Sequence, residues 1–352
     1  MNFAFTDEQA MIAETARSFF SANATSARTR AAMAGDGIDR ALWNAFTQEL
    51  GLGGIALPES VGGAGLGMVE LAILAEAAGA TVAALPLLGS LAMSAQALAA
   101  GASAAQQAAW LPGIIAGTCI AAPGSSATAS VSGDRISGDF GFVPHGGSAD
   151  LFVLHAAGHT WLVPADAPGV TVKRLTTMDQ TRPYAQVSLA GTPADPLPGA
   201  DAMEHATHAG WLVAAAEALG GAQACLDQTI AYANQRIQFG RQIGSFQAYK
   251  HRLADMMIEI EQARSAVWWA ACALDEASDE AAIALHGAKS FATDTFAMCA
   301  GNMIQLHGGI GFTWDHDAHL FFKRSRALQS MLGSNNWHRE QVARLIGLGD
   351  TA

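Results

Sequence analysis

The chain has 352 residues, 51% of them hydrophobic and 14% charged, with a formal net charge of −12 at pH 7. That length exceeds one ordinary core and implies roughly two or three subdomains; so much apolar side chain beside so little charge implies extensive helix packing and an oligomer interface. The acidic balance excludes a nucleic-acid partner, because phosphate binding draws its free energy from clustered Lys and Arg that release counterions, and no basic tract occurs.

Cys119, Cys225, Cys272 and Cys299 lie far apart with no CxxC pair, which argues against zinc or a disulfide framework and for buried thiols in a reducing cytosol. The acidic start, Met1 to Gln9, has no basic n-region, so no signal or transit peptide is expected. The apolar run from Trp211 to Leu219 contains Glu217 and soon meets Gly220-Gly221, too short and too polar for a membrane span. A cytoplasmic protein is expected.

Thr6-Asp7-Glu8-Gln9 is a capping box, with Phe5 placed to staple the entering chain, and predicts a helix from Asp7 past Phe20. A second helix through Leu42, Trp43, Phe46 and Leu50 ends at Gly51, and the glycine-rich stretch Leu57 to Gly67 reads as an irregular loop. That loop follows no clear strand, so it is not a Rossmann phosphate loop. Helical periodicity resumes over Val69 to Gly79 and Leu87 to Ala100, and Ser103-Ala104-Ala105-Gln106 caps a short helix that stops at Pro112-Gly113. From Thr118 the pattern changes to short β-branched or aromatic segments, Val131 to Ile136, Asp150 to His155, Trp161 to Val163 and Gly169 to Val172, separated by turns. They predict a small antiparallel β-domain. After Gly199 apolar residues recur every three or four positions through Phe246, Leu253, Met256, Ile260 and Val267, and Ser278-Asp279-Glu280 opens a further helix to Met303. The fold class is therefore α+β: an N-terminal α-helical domain (residues 1–117), a middle β-domain (118–198) and a C-terminal four-helix bundle (199–352).

Two stretches stand out: Arg236-Ile237-Gln238-Phe239-Gly240-Arg241-Gln242-Ile243-Gly244-Ser245-Phe246-Gln247, and Gln305-Leu306-His307-Gly308-Gly309-Ile310-Gly311, which runs on into Phe312-Thr313-Trp314-Asp315-His316-Asp317. Together they resemble the acyl-CoA dehydrogenase family, with its Arg-x-x-Phe-Gly-x-x-Ile loop and later Gln-x-x-Gly-Gly-x-Gly. The resemblance extends over nearly the whole chain, and the Thr-Trp-Asp-His-Asp form is most similar to bacterial relatives acting on bulky, steroid-type acyl-CoA thioesters. It implies FAD, held partly by a neighbouring subunit in a homo- or hetero-oligomer (dimer or tetramer), α,β-dehydrogenation of an acyl-CoA, and an electron-transfer flavoprotein as acceptor. By position it implies that Arg236 pairs with the FAD pyrophosphate, that Phe239 packs on the adenine side with Gln238, Ile243 and Gln247 nearby, and that Gln305, Leu306, Gly308 and Gly309 cradle the dinucleotide, glycine permitting close approach. Ser334 joins this cofactor-binding set. No metal is expected: the bundle has no Glu-x-x-His repeats, and His316 between two aspartates reads as a loop tie.

The chain departs from the family where the chemistry happens. A carboxylate must take the α-proton as hydride leaves the β-carbon, and its usual position is occupied by Leu332, its alternative position by Gly210. The remaining carboxylate, Glu217, lies seven positions past Gly210 on the same helix face. A lone carboxylate in so apolar a run suits a general base; it equally suits an ion pair across the bundle. The backbone N–H at Leu332 could still polarise the thioester carbonyl, as the resemblance implies. At the positions of flavin-contacting side chains the chain has Ala121-Ala122-Pro123 and Phe142-Val143-Pro144, so those contacts are lost or replaced. The expected function is FAD-dependent acyl-CoA dehydrogenation with Glu217 as base; the alternative is a non-catalytic or half-site subunit of a heteromeric dehydrogenase.

Overall fold

The computed structural model describes residues 4–348. In chain order it has α1 (Asp7–Asn23), α2 (Ser26–Ala34), α3 (Arg40–Asn44), α4 (Met68–Gly79), α5 (Ala95–Gly101) and α6 (Ala104–Ile115). Then come β1 (Ala121–Ser126), β2 (Ser130–Ser132), β3 (Arg135–Pro144), β4 (Leu151–Ala156), β5 (His159–Pro164), β6 (Val170–Arg174), β7 (Tyr184–Pro193) and β8 (Asp195–Pro196). α7 (Ala202–Gln235), a hairpin of β9 (Ile237–Gln238) and β10 (Arg241–Gln242), α8 (Gln247–Asp275), α9 (Ala281–His307), α10 (Ala318–Ser330) and α11 (Asn335–Leu345) follow. Helices, then strands, then helices is the expected order.

Both capping boxes form: Thr6 and Gln9 exchange side-chain and backbone bonds at the head of α1, and Ser103 and Gln106 do so at α6. Phe5 meets Trp268 of α8 edge-on at 4.8 Å. α6 runs through Pro112 to Ile115 and ends near Gly117, whose φ of +72° suits glycine.

One compact unit comprises Met1–Ser26, Met68–Ala83 and Trp211–Ala352. In it α9 packs on α8, α10 and α11, and α4 packs on both α1 and α8. The bundle is thus larger than the four helices expected, because the apolar faces of α1 and α4 join it although they lie far earlier in the chain. Glycine sets how closely α7 is approached: a Cβ on Gly220 would sit 1.9 Å from the Glu76 carbonyl of α4, and one on Gly221 would sit 2.4 Å from the Phe296 ring of α9.

The other unit comprises Ala27–Gly67 and Ala84–Gly210. Two four-stranded sheets, ordered β1-β4-β5-β8 and β2-β3-β7-β6, pack around Phe140, Phe152, Leu154, Trp161 and Val187. Strand pairing is antiparallel as expected except that β1 lies parallel to β4, from Ala121 opposite Leu151 to Ser126 opposite Ala156. Parallel neighbours need a crossover, and here β2 and β3, which belong to the other sheet, supply it. β1, β7 and β8 carry no strand prediction; the Ala-Ala-Pro-Gly-Ser-Ser of β1 has no β-branched residue, and backbone pairing alone makes it a strand.

The apolar run from Trp211 to Leu219 belongs to the 34-residue α7, which is long and apolar enough to cross a membrane. Within its most apolar window 94% of the residues are buried in the protein, which marks it as a core helix.

Candidate functional site

Where α7 ends, the chain reverses in a two-residue hairpin that pairs Gln238 with Arg241 and Ile237 with Gln242. Its corner residues, Phe239 and Gly240, have φ of +54° and +74°. Two successive left-handed residues favour Asn-Gly; a phenylalanine there is strained, and this one is 91% exposed. Strain of this kind persists at places that serve a ligand or partner.

A cavity of about 750 Å³ opens beside the hairpin, lined by Arg236, Gln238, Phe239 and Ile243, by Tyr249 and Arg252 of α8, and by Gln305, Leu306, His307, Gly308, Gly309 and Ile310 at the end of α9. α9 stops at Gly308 with φ +63° and ψ −139°, a backbone region essentially closed to other residues. A Cβ on Gly308 or Gly309 would meet no atom of this chain within 4 Å, so that main chain faces open space. Tyr249 Oη donates to the Leu306 carbonyl at 2.8 Å. His307 stacks on Tyr232 at 4.5 Å, and its Nδ1 donates to the Met303 carbonyl at 2.7 Å; desolvation lowers its pKa and keeps the ring neutral. Arg236 makes no ion pair with a carboxylate among the described residues.

These groups suit a dinucleotide. A planar fork without a counter-ion, two side-chain amides and a glycine terminus match phosphate oxygens, and the exposed Phe239 and Ile310 offer flat apolar surface to a purine. Of the residues expected to bind cofactor, Arg236, Gln238, Phe239, Ile243, Gln305, Leu306, Gly308 and Gly309 come together here. Gln247 opens α8 between two lining residues, Phe246 and Ala248, without lining the cavity itself. Ser334 lies elsewhere: its Oγ accepts from the Trp337 N–H and caps α11. Tyr232, Tyr249 and Arg252 were not anticipated, because in sequence they look like ordinary helix residues.

Glu217 sits apart from the cradle. Its Oε1 accepts from Arg324 Nη1 across the bundle, with both side chains buried. The turn after α10 holds Leu332 at φ +54° and Gly333 at φ +100°. The Leu332 carbonyl accepts from Trp211 Nε1 at 2.7 Å and lies 3.1 Å from His338 Nε2, while the fully buried Lys289 donates to the Gly333 carbonyl at 2.9 Å. In the β-sheet unit, the positions expected to touch a flavin ring are filled differently. A Cβ on Gly89 would lie 3.3 Å from Pro123 Cδ and 3.4 Å from Pro144 Cγ, so both prolines close on that glycine. Phe142, at the β3 bulge, is strained at φ +53° and 72% exposed. Among the described residues no group of three or more His, Cys, Asp or Glu could hold a metal ion; His316 Nδ1 accepts from the Ala318 N–H, a loop tie. All four cysteines are free, Cys225 and Cys299 buried, Cys119 and Cys272 only half-buried.

The family model "Acyl-CoA dehydrogenase, C-terminal domain" matches residues 198–347, and "Acyl-CoA dehydrogenase, N-terminal domain" matches residues 6–118. The chain belongs to the acyl-CoA dehydrogenase family. Acyl-CoA dehydrogenase IpdE2 of Mycobacterium tuberculosis is 36% identical over 344 residues, covering 96% of this chain and 96% of that one. Among solved structures, a variant of the Tcur3481-Tcur3483 steroid ACAD matches with TM-score 0.89 and 32% identity, over 97% of this chain and 98% of that one. The ChsE4-ChsE5 complex of Mycobacterium tuberculosis matches with TM-score 0.92 and 28% identity over 100% of both chains. Acyl-CoA dehydrogenases are FAD-dependent oxidoreductases, which agrees with the dinucleotide character of the cradle.

Proposed function

We propose that this chain is the flavin-completing subunit of a heteromeric acyl-CoA dehydrogenase acting on a bulky, steroid-type acyl thioester, and that a sister chain supplies the carboxylate base. The observation that carries this reading is a contrast: eight of the ten residues expected to bind cofactor line one cavity, while Leu332 and Gly210 stand at the base positions and Glu217 is tied to Arg324. Similar proteins whose structures are named for two components, Tcur3481-Tcur3483 and ChsE4-ChsE5, support the heteromer.

FAD held in this cradle would supply the acceptor for the hydride leaving the substrate β-carbon, and an electron-transfer flavoprotein would take the electrons onward. Arg236 would grip the diphosphate with two parallel N–H donors, a geometry that lysine cannot reproduce. Gln238 and Gln305 would add neutral donors, and Gly308-Gly309 would let main chain come within hydrogen-bond reach. Phe239 and Ile310 would cover the purine and exclude water, which strengthens the charged contacts beside it. The α-proton then goes to a carboxylate outside this chain.

Coexpression with a candidate sister chain tests the reading. The expected result is a colourless chain when purified alone, a yellow complex with one FAD per pair, and bleaching by steroid-type acyl-CoA. A chain that is yellow by itself and bleached by an acyl-CoA sinks the proposal.

A further inference from the structure

The cavity at the end of α9 lies within one compact unit of the chain, and most of the polar groups that line it donate. Arg236 and Arg252 only donate. The Tyr249 hydroxyl, pushed up to about 12 by desolvation, keeps its proton on the Leu306 carbonyl. The amides of Gln238 and Gln305 can donate or accept, and both side chains are exposed.

His307 differs. It lines the same cavity but is 3% exposed, and two other rings pack on it: Tyr232, stacked at 4.5 Å, and His316, tilted at 4.4 Å. Its Nδ1 lies 2.7 Å from the Met303 carbonyl oxygen, which only accepts, so Nδ1 carries a hydrogen. In the neutral ring Nε2 is then a lone pair. Among the described residues Nε2 has no hydrogen-bond partner, yet it is not one of the fully enclosed, unsatisfied atoms; it opens on the cavity. The neutral ring is the resident form. Desolvation is the largest cause of its lowered pKa, the Met303 bond opposes that fall and His316 adds to it. The charged and titratable groups around the ring are Tyr232 of α7, Arg236 just beyond α7, Tyr249 and Arg252 of α8, and His316 ahead of α10. No carboxylate lines the cavity, so nothing there offsets an imidazolium.

We propose that His307 Nε2 accepts a hydrogen bond from a neutral donor on the adenosine half of the dinucleotide, a ribose hydroxyl or the exocyclic amine, and so selects that end of the cofactor. The proposal rests on the dinucleotide-cradle reading above and adds a group that the diphosphate does not use. A lone pair repels phosphate oxygens; the arginines take the diphosphate and His307 takes the nucleoside. Protonation removes the lone pair, so affinity falls as pH drops below 6.5, the ordinary imidazole value.

Equilibrium dialysis of the purified full chain with ADP-ribose tests this, because a diphosphate diester lacks the phosphate ionisation at about pH 6 that would distort the profile. Wild type is expected to bind ADP-ribose at least about threefold more weakly at about pH 5 than at about pH 7.5. His307→Gln, whose Oε1 accepts without titrating there, is expected to lose that dependence. At the higher pH, either the inosine analogue, which lacks the exocyclic amine, or an analogue lacking one ribose hydroxyl should bind wild type about tenfold more weakly than ADP-ribose. Whichever does so names the donor, and the gap should close in His307→Phe, which keeps a ring on Tyr232 without the acceptor. Wild-type affinity that is flat or rises as pH falls overturns the proposal, and so does equal binding of all the analogues; both readings stand even if neither variant folds. The same pH dependence in a folded His307→Gln overturns it too. A chain that binds no ADP-ribose removes the cradle reading as well, whereas one that binds it without these preferences loses this inference alone.

Discussion

Arg324 donates from Nη1 to Oε1 of Glu217 and joins α10 to α7 in the dry interior of the bundle, where the two side chains are 2% and 6% exposed. Bringing two ions out of water costs several kcal/mol each, and their attraction offsets that only if neither partner is removed. Glu217→Gln is therefore expected to lower stability by about 3–5 kcal/mol, seen as a lower urea midpoint. Glu217→Leu with Arg324→Met should recover most of the loss, since an apolar pair of similar volume is often as stable. Turnover per folded complex should stay near wild type. A Glu217→Gln chain of normal stability whose complex has lost turnover would make Glu217 the base after all.

Arg236 bears on binding rather than folding. Its guanidinium lines the cradle and makes no ion pair with a carboxylate among the described residues, so Arg236→Ala should change stability by no more than about 0.5 kcal/mol. A hydrogen bond to a charged group is worth about 1.5–3 kcal/mol, which predicts flavin binding weaker by roughly tenfold to a hundredfold, measured by fluorescence titration of the assembled complex. Arg236→Lys should recover little of it, because a point charge lacks the fork.

How much could be read in advance follows from how local each signal is. The capping boxes at Thr6 and Ser103 are four-residue patterns and form as expected. The cradle is recognisable because its two halves are short motifs, each at a helix end, although nothing in them shows that Tyr249 of α8 would hold the Leu306 carbonyl. Glu217 was ambiguous for the opposite reason: its partner lies 107 residues later, and an isolated carboxylate in an apolar run looks the same whether it is a base or an ion pair. Lys289 gave no sign either. A single lysine in a helix normally reads as solvent-facing, and the Gln329 and Gly333 carbonyls with Asn335 Oδ1, all some 40 residues later, supply the acceptors for this buried one. β1 was hidden because its pairing with β4 comes from tertiary placement, not from residue type.

The buried cluster behind the turn after α10 makes stability depend on pH in two windows. His338, desolvated and further pushed by the charges of Lys289 and His286, titrates at about 3 in the folded chain against 6.5 when exposed. Lys289, desolvated with Asp294 partly opposing, titrates at about 8 against 10.5. Between each pair of values the unfolded chain binds more protons than the folded one, so stability rises with pH in both windows. The His338 contribution is complete above pH 6.5 and is lost as pH falls towards about 3. Urea midpoints measured across pH should show both slopes, with Lys289→Met flattening the alkaline one and His338→Gln the acidic one. An alkaline slope unchanged in Lys289→Met would assign it to another group.

Phe239 offers the sharpest separation of stability from function. At φ +54° and 91% exposed, its ring gains little from this chain, touching the Phe246 ring edge-on at 6.1 Å, while its backbone sits in a conformation that costs an L-aromatic residue roughly 1 kcal/mol or more. Asparagine is the preferred residue at this corner of a two-residue hairpin. Phe239→Asn is therefore expected to stabilise the isolated chain by about 0.5–1 kcal/mol, read as a higher urea midpoint. The same change removes the apolar face offered to the purine, so the assembled complex should release flavin faster on dilution, by about tenfold. The two effects have opposite signs because the strain is borne by the free chain and offset only when something covers the ring. If Phe239→Asn leaves flavin retention unchanged, the exposed phenylalanine does not serve the dinucleotide, and the cradle rests on Arg236, Gln305 and the glycine turn without it.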